Sequence, residues 1–132
     1  MEKRFLAIDI GGTTTKFALL TAEGEILLQG ERGTEAEQGG PHIVDRIKSL
    51  IKEQELPLDG ICISTAGIVD EEAGEIIHAG PQIPNYKGTK WKKLIEEEFS
   101  IPCEVENDVN CAGLGEAYFG AAKGKKSVLL LT

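Results

Sequence analysis

Two adjacent glycines, Gly11 and Gly12, divide the apolar run Arg4-Phe5-Leu6-Ala7-Ile8 from a second one, Lys16-Phe17-Ala18-Leu19-Leu20. The residues after the glycines limit the fold more than the glycines themselves. In the dinucleotide fingerprint and in the P-loop, a glycine-rich loop opens into a helix. Here it opens into Thr13-Thr14-Thr15-Lys16-Phe17, whose β-branched start disfavours a helix and suits a strand. The pattern predicts a tight β-hairpin, with glycine supplying φ > 0 at little steric cost. Ala22-Glu23-Gly24-Glu25 then turns the chain into a third strand, Ile26-Leu27-Leu28, giving a meander to about Glu31.

A glycine turn of this kind bares successive backbone N–H groups, and the Thr13 and Thr14 hydroxyls add two more donors. Such a nest suits a phosphate. Asp9, at the end of the first strand, puts a carboxylate where Mg²⁺ on those phosphates would sit. The plainer alternative is a simple turn with Asp9 as a solvated strand end.

Charge and length exclude several classes. The 132 residues suffice for one domain and carry a formal net charge of −8. That acidity argues against a nucleic-acid partner, which calls for clustered Lys and Arg. No apolar run is long enough to span a membrane, and no signal-peptide pattern opens the chain. Cys62, Cys103 and Cys111 fit neither a disulfide framework nor a zinc spacing, so buried cytosolic thiols are expected. The expectation is an acidic α/β protein of the cytoplasm.

Arg32 to Gly40 reads as a polar loop, and Pro41 suits the first turn of a helix. Ile43, Val44, Ile47, Leu50 and Ile51 form one apolar stripe, with Pro57 ending the element. Gly60-Ile61-Cys62-Ile63-Ser64 is a continuous apolar run, as in a strand covered on both faces. A helix between two strands implies a crossover and parallel pairing. Ile68-Val69-Asp70 and Glu75-Ile76-Ile77 suggest a small hairpin. Trp91, Leu94, Ile95 and Phe99 mark a second helix with Trp91 in its core. Its Lys92–Glu96 and Lys93–Glu97 pairs run in the weaker order, so they are expected to add little. Ile101 to Val105 is another strand, ending in Glu106-Asn107-Asp108. A helix to about Ala122, a turn at Lys123 to Lys126 and a strand from Ser127 come next. A domain rarely stops on its most apolar strand, so residues 1–122 read as an N-terminal lobe. Residues 123–132 read as the start of a second lobe that this sequence does not complete.

Three strand ends carry polar or glycine-rich sequence: Asp9 to Thr15, Ser64 to Gly67, and Asn107-Asp108. In open α/β sheets ligands sit beyond the carboxyl ends of parallel strands, so these converge on one edge. Asp108 falls where a strand hands over to a helix, and the helix dipole favours its ionised, proton-accepting form. It could equally serve only as an N-cap. His42 and His78 have no partner in a metal-ligand spacing, and Ser64 lacks the nucleophile elbow.

Asp9-Ile10-Gly11-Gly12-Thr13-Thr14 resembles the first phosphate motif of the actin-like ATPase and sugar-kinase superfamily. Glu106-Asn107-Asp108-Val109-Asn110-Cys111-Ala112-Gly113-Leu114-Gly115-Glu116, with Gly120, is similar to the central signature of the ROK family (repressors, open reading frames and kinases). Ala66-Gly67-Ile68-Val69-Asp70 resembles that family's sugar-side loop, with Ala66 where proline is usual. Asn85, with Trp91 and Leu94, resembles the segment after it.

The resemblance implies a ribonuclease-H-like α/β fold, with a mixed five-stranded sheet of order 3-2-1-4-5 and helices on both faces. It implies ATP-dependent phosphorylation of a hexose or hexose derivative, or, as the alternative, a non-catalytic sugar sensor or regulator. Asp108 would be the general base and Asn107 would bond neighbouring sugar hydroxyls. Gly67 and Asn85 would line the sugar pocket. Gly11, Gly12, Thr13 and Thr14 would hold ATP phosphates, with Asp9 organising Mg²⁺ and Lys16 helping. A structural Zn²⁺ site, if the family's is kept, would lie beyond Thr132, and the complete protein is expected to be a homodimer. The strand beginning at Arg4 leaves no room for the helix-turn-helix of family repressors, so the kinase branch is favoured.

Overall fold

The computed structural model describes residues 3–54, 57–70 and 72–107. Its elements are β1 (Arg4–Ile10), β2 (Thr14–Thr21), β3 (Ile26–Gly33), a 3-10 turn at Ala36–Gln38, α1 (Gly40–Lys52), β4 (Gly60–Thr65), β5 (Ile68–Asp70), β6 (Glu75–His78), α2 (Trp91–Phe99) and β7 (Cys103–Asn107). The helix, turn and strand expected after Asp108 lie outside the described residues.

β1 pairs antiparallel with β2, and β2 antiparallel with β3. Beyond the α1 crossover β4 pairs parallel with β1, and beyond α2 β7 pairs parallel with β4. The sheet order is therefore β3-β2-β1-β4-β7, with β5 and β6 set apart as a two-stranded hairpin. This is the anticipated 3-2-1-4-5 order once that hairpin is counted separately.

The continuous apolar character of β1 and β4 follows from burial on both faces. Leu6, Ile8, Ile61 and Ile63 join one core with Ile43, Ile47 and Leu50 of α1 and Trp91 and Ile95 of α2. Phe5, Ala7, Ala18 and Cys62, on the opposite face by register, are buried as well. Both described helices thus pack on the same face of the sheet. Among the described residues, no helix is long and apolar enough to cross a membrane.

Local chemistry sets the helix ends, and α1 stops earlier than Pro57 implied. The Glu53 amide donates back to the Ser49 and Leu50 carbonyls, and the Gln54 side chain bonds the Leu50 carbonyl at 2.9 Å. These bonds satisfy carbonyls that the final turn leaves without helical partners, so the helix closes five residues before the proline. α2 ends at Ser100, a left-handed residue (φ 56°) whose amide donates to the Glu96 carbonyl.

The Lys92–Glu96 pair does more than its order on the helix suggests. Lys92 Nζ donates to Glu96 Oε2 at 3.0 Å, to the Cys103 carbonyl at 2.8 Å and to Glu104 Oε1 at 3.1 Å. Glu96 Oε2 in turn accepts the Cys103 amide at 2.9 Å. The pair rivets α2 to β7, a role that helix-local reasoning could not see. Burial pushes the Lys92 ammonium down, but its bonds and charges with Glu96 and Glu104 outweigh this and hold it above the usual lysine range. Burial raises the Cys103 thiol to about 12, so it is an inert core group.

Candidate active site

The three strand ends singled out in the sequence do meet at one edge of the sheet. Register places Lys16, Asp9, Ser64 and Glu106 in one transverse row across β2, β1, β4 and β7. The next row holds Thr15, Ile10, Thr65 and Asn107. Just beyond it the chain leaves β1 into Gly11–Thr13 and β4 into Ala66–Gly67. Asn107 closes β7, and Asp108 lies outside the described residues.

The glycine hairpin is built differently from the expectation. Neither Gly11 nor Gly12 has positive φ, so the turn is not one of the primed types that require it. Gly11 is needed for closeness instead. Its amide donates to the Thr14 carbonyl at 3.0 Å, and an added Cβ would lie 2.8 Å from that same oxygen. An added Cβ at Gly12 would meet nothing within 4 Å. Gly12 and Thr13 are exposed, and Gly11, Thr14 and Lys16 partly so. The turn offers a phosphate the exposed backbone of Gly12 and Thr13, while the Gly11 amide, expected to be bare, is engaged by the Thr14 carbonyl.

Asp9 is 7% exposed at the strand end beneath this turn. The described residues contain no cluster of three or more His, Cys, Asp or Glu able to hold a metal alone. Mg²⁺ in kinases takes one or two carboxylates and completes its shell with phosphates and water, so a single aspartate fits that use.

Sequence reasoning missed Thr34, which braces the hairpin from the β3–α1 connection. Its amide donates to the Thr13 carbonyl at 2.9 Å, and its hydroxyl lies 2.7 Å from that of Thr15, with both residues buried. Arg46 of α1 fastens the same connection through two donors to the Gly33 carbonyl, at 3.1 and 2.7 Å. Glu35 bonds His42 at 2.7 Å and pairs with Arg46 at 3.4 Å. The His42 bond, aided by Arg46, keeps the Glu35 carboxyl below its usual range. His42 is thus a surface partner of Glu35. An isolated threonine in a polar loop carries no motif to betray its role.

On the other side, Gly67 is held at φ 100°, where a Cβ would come 2.7 Å from the His78 carbonyl. Only glycine lets the loop after β4 press so closely on the end of β6. Asn85 is exposed at φ 58° and lines a groove of about 600 Å³ with Pro41 and Val44 of α1 and Leu94 of α2. It is joined to the strand ends through its neighbour Tyr86. The buried Tyr86 hydroxyl lies 2.6 Å from Thr65 Oγ1 and accepts Trp91 Nε1–H at 2.9 Å. Trp91 is fully buried, as its helical spacing predicted.

A family model described as ROK family matches residues 5–132. The chain belongs to the ROK family. It is 50% identical over 130 residues to an uncharacterised protein of Clostridium perfringens, covering 97% of this chain and 44% of that protein. It is 33% identical over 138 residues to a glucokinase of Halalkalibacterium halodurans, covering 99% of this chain and 41% of the relative. This ROK chain therefore spans less than half the length of these curated relatives. The crystal structure of a ROK family glucokinase from Streptomyces griseus, in complex with glucose and AMPPNP, matches at a TM-score of 0.73 and 28% identity. That match covers 90% of this chain and 38% of the other. The fold is the actin-like ATPase fold of ROK kinases.

Proposed function

We propose that this chain is the N-terminal lobe of a two-lobed kinase that transfers phosphate from ATP to a hexose or hexose derivative. The observation that carries the reading is the meeting of the Gly11–Thr14 hairpin with the ends of β4 and β7 at one sheet edge. Family membership and the glucokinase relative support it.

In this reading Gly11, Gly12, Thr13 and Thr14 cradle the ATP phosphates, with Lys16 adding positive charge beside them. Asp9 holds Mg²⁺, which when bound neutralises charge on the phosphate oxygens. Gly67, Asn85 and Asn107 orient the sugar. Asp108 takes the proton from the attacking sugar hydroxyl as its oxygen bonds to the γ-phosphorus and the bond to ADP breaks. Most of the catalysis is positioning and charge neutralisation, which these residue types supply.

The test is a coupled ATP-turnover assay of the two-lobed protein against glucose, fructose, mannose, N-acetylhexosamines and glucosides, with Asp108→Asn beside the wild type. Loss of a general base is expected to lower kcat by about 10²–10⁴-fold. The melting temperature should stay unchanged, because Asn caps a helix as well as Asp does. Turnover by the variant near the wild-type rate would leave Asp108 a cap and the mechanism without its base. Sugar binding without turnover by the wild type would instead favour the sensor.

A further inference from the structure

We infer that Tyr86 is a positioning residue for the sugar half of the site, acting through a chain of buried hydrogen bonds; this rests on the sugar-kinase reading above. The first link of the chain has a fixed direction. An indole N–H can only donate, so Trp91 Nε1 gives its proton to the Tyr86 oxygen at 2.9 Å. Thr65 has one hydroxyl proton, and its oxygen donates to the Ala66 carbonyl at 3.3 Å. The Tyr86 and Thr65 hydroxyls share a 2.6 Å hydrogen bond in which either oxygen can donate. The chain links Trp91, Tyr86, Thr65 and the Ala66 carbonyl, immediately before Gly67.

All three side chains are buried to within 1% of full burial, so water does not offer a substitute partner. Tyr86 joins three segments that carry proposed sugar contacts. Asn85 precedes it directly. Thr65 is the last residue of β4, pairs in register with Asn107, and leads into the Gly67 loop. Tyr86 itself is wedged in place from behind. A Cβ on Gly40, at the start of α1, would collide with the Asn85 carbonyl and lie 2.9 Å from Tyr86 Cα. The Tyr86 carbonyl is fixed by the Thr89 hydroxyl at 2.6 Å and the Thr89 amide at 3.1 Å. The ring packs edge-on to Trp91 at 6.4 Å. With the backbone and ring already held, the hydroxyl's distinct contribution is to orient Thr65 and the Ala66 carbonyl. The phosphate hairpin has a brace of its own in Thr34, and that brace does not pass through the Tyr86 hydroxyl.

The test uses the two-lobed protein with glucose, or whichever sugar of the panel it turns over. Tyr86→Phe removes one oxygen and leaves the ring. Misplacement of a bound substrate by a fraction of an ångström to an ångström costs up to about 10²-fold, so kcat/KM for sugar should fall roughly 10- to 100-fold. KM for ATP should stay within about twofold, because the ATP side does not depend on this chain. Thr65→Val, which breaks the same chain one link on, should reproduce that split, and Thr65→Ser, which keeps the oxygen, should restore most of the sugar kcat/KM. The double variant Tyr86→Phe/Thr65→Val should be little worse than either single one, since both remove one coupled unit. Should Tyr86→Phe fail to fold, the Thr65→Val and Thr65→Ser pair decides alone. A lower melting temperature with unchanged sugar and ATP constants overturns the inference and makes the chain purely structural. Sugar and ATP constants worsening together also overturn it. Wild-type protein with no sugar-dependent turnover overturns the kinase reading and this inference with it, whereas active wild type with an unaltered Tyr86→Phe overturns this inference alone.

Discussion

Alanine at Gly11 and alanine at Gly12 are expected to have opposite effects on stability, and alanine at Gly12 is expected to weaken ATP binding. At Gly11 the new methyl would sit 2.8 Å from the Thr14 carbonyl oxygen, a backbone atom that cannot swing aside. That oxygen already accepts the Gly11 amide at 3.0 Å. Overpacking costs about 1–3 kcal/mol, and weakening the bond about 0.5–1.5 kcal/mol more. The gain from stiffening the unfolded chain, about 0.4–1 kcal/mol, offsets only part of this. The net loss of roughly 0.5–4 kcal/mol corresponds to a Tm drop of about 2–16 °C at some 4 °C per kcal/mol. At Gly12 nothing lies within 4 Å and φ is not left-handed, so no strain opposes the substitution. Only the unfolded-state gain of about 0.4–1 kcal/mol remains, a Tm rise of roughly 2–4 °C. Yet that methyl would occupy the space a phosphate approaches. Displacing one charge-assisted bond costs about 1.5–3 kcal/mol, so KM for ATP should rise roughly 10- to 100-fold. Thermal melts of the 132-residue chain and ATP-dependent kinetics of the two-lobed protein measure the two quantities. A Gly12→Ala variant with unchanged KM for ATP would show that the turn is not a phosphate cradle, and an unshifted Gly11→Ala melt would refute the steric argument.

The 132-residue chain alone is expected to show no sugar-dependent ATP turnover, because one wall of a cleft cannot exclude water from the transfer; turnover above background would contradict this. The Glu96 carboxyl is pushed up by burial but held below the usual carboxylate range overall by the Cys103 amide and Lys92. A depressed folded pKa gives stability that is present above the unfolded value, near about 4.3, and is lost as pH falls through the folded one. Melts of wild type and Glu96→Gln from pH 7 to 3 should therefore converge in acid. With the side chain 36% exposed, the difference at neutral pH should stay near or below about 1 kcal/mol, and parallel curves would remove the linkage. Leu50→Ala, at a fully buried core position in α1, is expected to cost about 2–5 kcal/mol in denaturant titrations.

Much of this architecture is legible in the sequence because it depends on patterns longer than one residue. The β-branched run after Gly12 rules out a helix, and the stripe from Ile43 to Ile51 demands one. The continuous apolar run Gly60 to Ser64 then requires a strand between two layers, paired parallel with the first, whereas the full sheet order was implied by the family resemblance. The features that escaped prediction were set by partners distant in sequence. Lys92 reads as a weak helix-surface pair until Cys103 and Glu104 arrive from β7. Thr34, Thr65 and Tyr86 are ordinary residues whose importance appears only when the fold brings hydroxyls within hydrogen-bonding reach of one another. Gly11 shows a related limit. Its presence was informative, but the assumed cause, positive φ, was wrong, and the operative one, contact with Thr14, needs coordinates. Ile26, Leu27 and Leu28 correctly read as a strand, yet all three are exposed, because among the described residues β3 is an edge strand with β2 as its one sheet neighbour.

The sheet order also fixes when each half of the cleft edge can come into being as the chain folds. The turn at Gly11 to Thr14 joins strands that are neighbours in sequence, and hairpins of this kind close in about 1–10 μs. The strand end bearing Thr65 and Gly67 has no place until β4 docks on β1, a pairing flanked by the bond between Arg4 and Asp59, 55 residues apart. Asn107 must wait for β7 to add to β4 in turn. Loop-closure entropy has to be met before such non-local pairings return anything, so they set the pace of folding. A nascent or partly unfolded chain would therefore present its glycine hairpin well before the strand ends that face it, and native-state hydrogen exchange should find β1 and β2 protected in openings that already release β7.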